Sequence, residues 1–419
     1  MNAELLKKIK TDFDATIRIH KTDEGTLIGL PYPYTVPSKT EKFQEIYYWD
    51  TYFANLGLIA LGETKLAKYN TDNLLYLVER FGYVPNGSRL YFLYHSQPPF
   101  LSKMVRDIFE YINDKEWLYT AYNTLKKEYN FWQEHRTLEN GLNAYKPPIS
   151  NNVNQINRFG GSFLSRLQKE PLREESFAPH YPSFESLSDN QKEQYANACG
   201  SFCESGWDFN SRFLDEGFNY SAIDLNSLLY DMEENMRYFS TILNNNEQKL
   251  WENRKQERLI KIQMLWSNKD DLFLDYNVKT KKFSEYKSLA SIYPMYAKLA
   301  TKEQAKKTVR FILATELEYG FAAGENKTVW RMQWDYPKIW APLQVILYKS
   351  LINYGYTDIA NRVATKYINL IETQYAITGE LWEKYDGITG NPPLSACPMT
   401  GWTAGAYIYF CEKLKKLAI

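Results

Sequence analysis

Cys203-Glu204-Ser205-Gly206-Trp207-Asp208-Phe209-Asn210-Ser211-Arg212, near the middle of the chain, brings two carboxylates, a glycine, a tryptophan and an arginine into one short segment. Gly206 has no side chain and lets backbone or ligand approach closely. Trp207 offers an apolar wall of the kind that raises the pKa of a neighbouring carboxyl and lets it donate a proton near neutrality. The same residues also read as a loop Asp capping a helix whose Trp belongs to the core, and the stretch alone leaves both readings open. Trp-Asp recurs as Trp49-Asp50 and Trp334-Asp335, each in an aromatic, polar, proline-punctuated segment.

Between these segments helical periodicity dominates. Leu5, Leu6, Ile9, Phe13 and Ile17 mark one face of a first helix. The same period runs near 50–62, 64–81, 99–113, 115–135, 221–244, 246–266, 288–300, 302–318, 338–354, 356–376 and 402–416. Short turns such as Leu61-Gly62-Glu63-Thr64 join many of them in pairs. Strand signal is sparse, and 272–277 with 279–283 reads as one small β-hairpin. Long connections near 31–49, 82–99, 136–215, 319–337 and 378–401 are rich in Trp, Tyr, Asn, Gln and Arg, which suits ordered function. Helical hairpins that bring five such loops to one rim predict an all-α fold, an (α/α)6 toroid or barrel, with 1–419 as a single domain.

Fifty basic and fifty acidic residues cancel, so neither nucleic acid nor an anionic membrane is indicated as partner. The longest apolar run, 56–61, is too short to cross a bilayer. Residues 1–8 lack the apolar core of a signal peptide, which points to a cytoplasmic protein. Cys199, Cys203, Cys397 and Cys411 make no disulfide framework and read as reduced packing residues. The four histidines are scattered, no Gly-rich phosphate loop occurs, and no cofactor is expected. The composition is unusual in its 34 Tyr, 22 Phe and 11 Trp. Rings with polar handles suit grooves that are part apolar and part wet, as sugar-binding clefts are, although most of them fill a helical core.

Six further motifs surround the central one. They are Phe43-Gln44-Glu45-Ile46-Tyr47-Tyr48-Trp49-Asp50-Thr51-Tyr52-Phe53, Pro85-Asn86-Gly87-Ser88-Arg89 with His95-Ser96-Gln97-Pro98-Pro99, and Arg173-Glu174-Glu175-Ser176-Phe177. Gln333-Trp334-Asp335-Tyr336-Pro337-Lys338-Ile339-Trp340-Ala341-Pro342, Glu383-Lys384-Tyr385-Asp386 and Gly401-Trp402-Thr403 follow. In this order they resemble the trehalase family of glycoside hydrolases, from about residue 37 to 408. The resemblance implies an inverting α-glycosidase that hydrolyses trehalose or a related small α-glucoside. Its general acid would be Asp208 and its general base Glu383, since inversion needs a protonated carboxyl and a carboxylate on opposite faces of the sugar. Without the resemblance, Glu383 reads as an ion-pair partner of Lys384 or of a loop arginine.

Carried over residue by residue, Trp49, Asp50, Asn86, Ser96 and Gln97 would surround the reacting sugar. Arg173 and Glu175 would reach it from the other side, and Gly206 would leave room for a hydroxyl beside Asp208. Lys42, Phe43 and His95 complete the expected binding set. Asp335 reads as the cap of the helix that follows it. Lys42 and His95 stand where the family carries arginines, and neither swap preserves the planar fork of donors. Asn391-Pro392-Pro393-Leu394 occupies the place of the family's Gly-rich lid. These departures keep a second substrate class open: glucosyl- or mannosylglycerate, or a short α-glucan, with Lys42 and His95 facing an anionic aglycone. A non-catalytic sugar-binding protein is the third reading, and retention of both carboxylates argues against it. The implied partner is a small sugar; a monomer is compatible with the sequence, which leaves the oligomeric state open.

Overall fold

The structure is a computed structural model that describes residues 2–149, 152–169, 183–213, 215–326 and 332–416. The helices in chain order are α1 (Ala3–Thr16), α2 (Tyr48–Ala60), α3 (Thr64–Phe81), α4 (Leu101–Ile112), α5 (Lys115–Arg136), α6 (Val153–Lys169) and α7 (Asp189–Ser205). They continue with α8 (Ile223–Leu243), α9 (Gln248–Ile262), α10 (Tyr293–Tyr296), α11 (Lys302–Ala314), α12 (Ala341–Asn353), α13 (Thr357–Thr378) and α14 (Gly401–Lys413). Six of them close a ring: α2 packs on α4, α4 on α8, α8 on α10, α10 on α12, α12 on α14, and α14 back on α2. Outside the ring, α3 lies against α2 and α4, α5 against α4 and α8, α9 against α8, and α13 against α12 and α14. This is the (α/α)6 barrel expected.

The sequence decides which helices are inner. Every residue of α2 from Tyr48 to Leu58, and of α14 from Gly401 to Cys411, is buried. A helix apolar nearly all round has to be covered on all sides. By contrast α3 and α13 bury one stripe and turn Lys, Glu, Asp and Arg outward, the pattern of a surface helix. At the seam between α2 and α14 the backbones almost touch. A Cβ on Gly57 would stand 2.6 Å from the Gly405 Cα, and one on Gly405 2.2 Å from the Phe53 carbonyl oxygen.

Three expectations change. The helix expected over 288–300 is a 3-10 turn, Leu289–Ile292, running into the single turn α10, which stops where Lys298 takes a left-handed φ of 58°. The expected β-hairpin is half present. β1 (Ile17–Arg18) pairs with β2 (Tyr34–Thr35) near the start of the chain; β6 (Tyr276–Asn277) pairs with β7 (Lys282–Phe283) and with β3 (Tyr220–Ser221), but β5 (Leu272–Phe273) pairs with β4 (Trp266–Ser267). The connection 136–215 is largely helical, because α6 and α7 lie inside it and pack on each other. A Cβ on Gly160 would meet the Phe184 ring at 2.6 Å, so this contact is close enough to need glycine. Among the described residues no helix is long and apolar enough to cross a membrane.

Candidate functional site

The segments that lead into five of the six ring helices converge on one mouth of the barrel, over a cleft of about 460 Å³. The start of α2 contributes Trp49 and Asp50, and the segment before α4 contributes His95 and Gln97. Gly206 and Asp208 come from the end of α7, Trp334 and Trp340 from the segment before α12, and Glu383 and Trp402 from that before α14. Lys42, Phe43 and Asn86 line it as well. Ser96 does not. It is fully buried behind the wall, its N–H donating to Glu204 Oε1 (3.0 Å) and its hydroxyl to the Val84 carbonyl (2.6 Å). Arg173 and Glu175 lie outside the described residues.

The central decapeptide is a tightly anchored turn. Gly206 ends α7 with φ 71°, and Phe209 takes φ 60°, so left-handed residues stand on both sides of Asp208. A non-glycine residue held there costs about 1–3 kcal/mol and persists only where its surroundings over-determine it. They do. Glu204 accepts two hydrogen bonds from Arg136, at 2.9 and 2.8 Å, and the Asn210 amide donates to the Trp207 carbonyl at 2.6 Å. Arg212 is clamped by Asp224 and Asp275. The Ser211 hydroxyl and N–H both donate to Asp335, at 2.6 and 2.9 Å. Asp335 therefore ties the two Trp-Asp loops together and does not cap α12, whose N-cap is Trp340. Burial pushes the Asp335 carboxyl up to about 6.

Gly206 also serves a different neighbour from the one expected. A Cβ at this position would lie 2.7 Å from Cε2 of Trp49, so the absent side chain makes room for that indole. Gly206→Ala is expected to destabilise the fold by about 2 kcal/mol, from left-handed backbone cost plus overpacking. Activity should fall with it as Asp208 is displaced. Urea unfolding alongside kinetics checks this; a variant with unchanged midpoint and activity would refute it.

Trp207 likewise turns away from the cleft. It is fully buried, stacked on Trp334 at 5.5 Å and covered by the Arg212 guanidinium at 4.6 Å. The apolar wall comes instead from Trp49, Trp334, Trp340 and Trp402. Trp334 and Trp340 are parallel to within 3° at 3.8 Å, and Trp402 meets both edge-on. Trp334 stacks on both Trp340 and Trp207, so these rings back an apolar wall, and the polar groups stand around it.

Three carboxylates share this space. Asp50 is buried, and burial pushes its carboxyl up to about 8, with the negative charges of Asp208 and Glu383 adding to the effect. Glu383 is held at both ends. Its N–H donates to the Cys397 carbonyl (2.9 Å), its carbonyl accepts from Trp402 Nε1 (3.0 Å), and Oε2 pairs with Lys384 Nζ at 2.7 Å. The ion pair with Lys384 is thus present, inside the cleft. Lys384 sits on β9 (Lys384–Asp386), which pairs with β8 (Lys338–Trp340) and lays the ammonium over the Trp340 ring. The amides are half engaged: Gln97 Oε1 accepts from Trp49 N–H (3.1 Å) and Asn86 Nδ2 donates to the Cys203 carbonyl (3.2 Å). His95 is buried, with Nδ1 3.3 Å from the Ser96 carbonyl, and burial holds it down to about 4. It is neutral near pH 7 and supplies no charge for an anionic group, contrary to the expectation.

Sequence reading missed one whole side of the cleft, where α6 brings Arg158, Phe159 and Ser162 and α7 brings Cys199 and Cys203. All four cysteines are free, as expected, but Cys199, Cys203 and Cys397 line the cleft. The legible signal was Ser188-Asp189-Asn190-Gln191, a capping box that opens α7.

The family model of trehalase matches residues 3–414. The periplasmic trehalase of Xanthomonas axonopodis pv. citri is 32% identical over 404 residues, covering 92% of this chain and 69% of that protein. Another periplasmic trehalase, from Xanthomonas campestris pv. campestris, is covered over 63% of its length. The neutral trehalase of Saccharomyces cerevisiae superposes with a TM-score of 0.76 at 29% identity, over 96% of this chain and 76% of that one. A mannosylglycerate hydrolase from Thermus thermophilus shares the fold with a TM-score of 0.64 at 15% identity, over 90% and 95%. The relatives named periplasmic overturn the cytoplasmic location expected above. A cleavable leader is no part of a folded domain, so the residues of the fold carry no address.

Proposed function

Because the chain belongs to the trehalase family and is a glycoside hydrolase of trehalase type, we propose that it hydrolyses trehalose with inversion, Asp208 acting as general acid and Glu383 as general base. The observation that carries this reading is that Asp208 and Glu383, from opposite halves of the chain, line one cleft of about 460 Å³ together with the buried Asp50. They therefore act across one small cleft. Residues 1–419 work in this reading as one catalytic unit.

Asp208 gives its proton to the glycosidic oxygen as the C1–O bond breaks. Glu383 takes a proton from the water that attacks C1 from the opposite face. Lys384 holds Oε2 of Glu383 and leaves Oε1 to that water. Asp50, protonated below about pH 8, donates a hydrogen bond to a sugar hydroxyl without adding a negative charge beside Glu383. Gln97 Nε2 and Asn86 Oδ1 offer a donor and an acceptor against the indole wall. A neutral His95 favours an uncharged leaving group over an anionic aglycone.

Proton NMR of a fresh trehalose digest tests the reading. Inversion at one ring releases β-glucose and the leaving ring keeps the α form, so equal early amounts of both are expected. Intact trehalose would sink the substrate; equal turnover without the early β signal would sink inversion.

Asp50 predicts a pH limb. Its carboxyl is raised, so the proton is lost as pH climbs through about 8, and the ionised form can no longer donate to the sugar hydroxyl and sets a second negative charge beside Glu383. kcat/KM is expected to fall above pH 8 in the wild type. In Asp50→Asn, which keeps a neutral donor, that limb should be absent at lower overall activity. Identical alkaline limbs in the two profiles would refute the assignment.

A further inference from the structure

The positive charges of the cleft are unequal. Among the described residues that line it, the cations are Lys42, Arg158 and Lys384. Lys384 is buried and committed to Glu383. Arg158 is exposed, and its guanidinium gives one N–H to the Tyr91 carbonyl (3.1 Å) while its plane lies over Tyr91 and Phe159, at 5.0 and 5.5 Å. A guanidinium carries five N–H donors, and among the described residues only one of those of Arg158 is given to a hydrogen bond.

Arg158 is also well positioned for an exposed side chain. Phe159 beside it is buried and meets the His95 ring edge-on at 5.7 Å. Gly160 presses α6 against the segment that holds Phe184 and Lys192. The cleft has a depth order too. Trp49, Asp50 and Gln97, at the starts of ring helices, are 1%, 8% and 6% exposed, and they form its floor. Arg158 stands at the open end, on a helix outside the ring. A sugar reacting between Asp208 and Glu383 lies on the floor, so its leaving partner extends toward the open end, where Arg158 stands.

We infer that Arg158 recognises the leaving sugar, its N–H groups beyond the one given to Tyr91 holding that ring's hydroxyl oxygens. It does so from a helix that carries no part of the expected motifs, and it supplies the forked donor that the neutral His95 beside it lacks. The inference rests on the trehalose reading above and adds which part of the substrate this side of the cleft selects.

The test compares two substrates that share the reacting sugar. Trehalose leaves as a glucose rich in hydroxyls; α-D-glucosyl fluoride leaves as fluoride, which offers Arg158 nothing to hold by this geometry. With Arg158→Gln, KM for trehalose is expected to rise about 10- to 100-fold, the worth of hydrogen bonds from a charged group. kcat/KM for the fluoride should stay within about threefold. Arg158→Lys should recover only part of the loss, because an ammonium lacks the fork. The thermal midpoint should not move, since the side chain is exposed. Equal losses on both substrates, or no loss on trehalose, would overturn the inference. A wild type that turns over the fluoride but leaves trehalose intact overturns the substrate reading first and this one with it. A wild type active on trehalose with an indistinguishable Arg158→Gln overturns only the role of Arg158.

Discussion

Asp208→Asn is expected to lower kcat on trehalose by about 10²–10⁴-fold, the usual worth of a positioned general acid, and Glu383→Gln by at least as much. Both replacements keep the shape of the side chain and remove only its proton chemistry. The two losses differ in kind, and that difference makes the prediction sharp. Fluoride departs without being protonated, so α-D-glucosyl fluoride should restore much of the activity of Asp208→Asn. It should restore none in Glu383→Gln, where water still lacks its base. Stability separates them as well. Glu383→Gln strands the buried ammonium of Lys384, whose ion pair measures 2.7 Å, so its unfolding midpoint should drop. Kinetics on both substrates with a thermal melt of each variant decide the matter. Fluoride rescue of Glu383→Gln rather than of Asp208→Asn would reverse the two roles, and full activity in either variant would remove that residue from catalysis.

Arg212→Leu should be among the most damaging changes away from the reacting atoms. The Arg212 side chain is wholly buried, and its guanidinium meets Asp224 at 2.9 and 2.8 Å and Asp275 at 3.1 and 3.0 Å. Such a triad need not add much net stability, but removing one member leaves buried charges uncompensated, at about 3–5 kcal/mol. The sign of the pH dependence follows from the acids. Burial already raises the Asp275 carboxyl, partly offset by Arg212, and without the guanidinium it rises further. The folded variant then holds protons that the unfolded chain has released, so its stability falls as pH rises. Urea unfolding at pH 5 and pH 8 should therefore show the larger deficit at pH 8. A deficit below about 1 kcal/mol at both values, typical of an exposed residue, would contradict the account. Because Arg212 covers Trp207 at 4.6 Å, the turn that presents Asp208 should loosen at the same time.

What the sequence disclosed follows from what is local. α2, α12 and α14 were legible as helices, and their place in the inner ring follows from apolar residues that leave almost no polar face. α3 and α13 were legible because one stripe repeats with the helical period. α6 was overlooked although Ile156, Phe159, Phe163 and Leu164 follow the helical period and the last three are buried; Asn, Gln, Ser and Gly between them mask the stripe. α7 was hidden because part of what it buries is small, as at Gly200, where a Cβ would meet Pro147 and Ile149 at 2.8 Å.

At the site, Asp208, Glu383, Trp49, Asp50, Asn86, His95 and Gln97 were found through motif resemblance, and the cleft gathers all of them. Side-chain direction was beyond reach. Trp207 turns inward because Gly206 is left-handed, and Asp335 looks like a cap until Ser211, distant in sequence, is known to be its partner. Ser96 belongs to the wall because Glu204 claims its N–H. Arg158 carried no motif, only an address on an unforeseen helix.

The glycine seam between α2 and α14 has a consequence in time. The ring closes between helices near the two ends of the chain, where Gly57 meets Gly405, and the cleft needs Asp50 from one side of that seam and Glu383 from the other. During synthesis at about 5–20 residues per second, α2 emerges on the order of 20 to 70 seconds before α14. For that interval its apolar surface has no permanent partner on one side, and neither the barrel nor its active cleft exists until the last helix arrives.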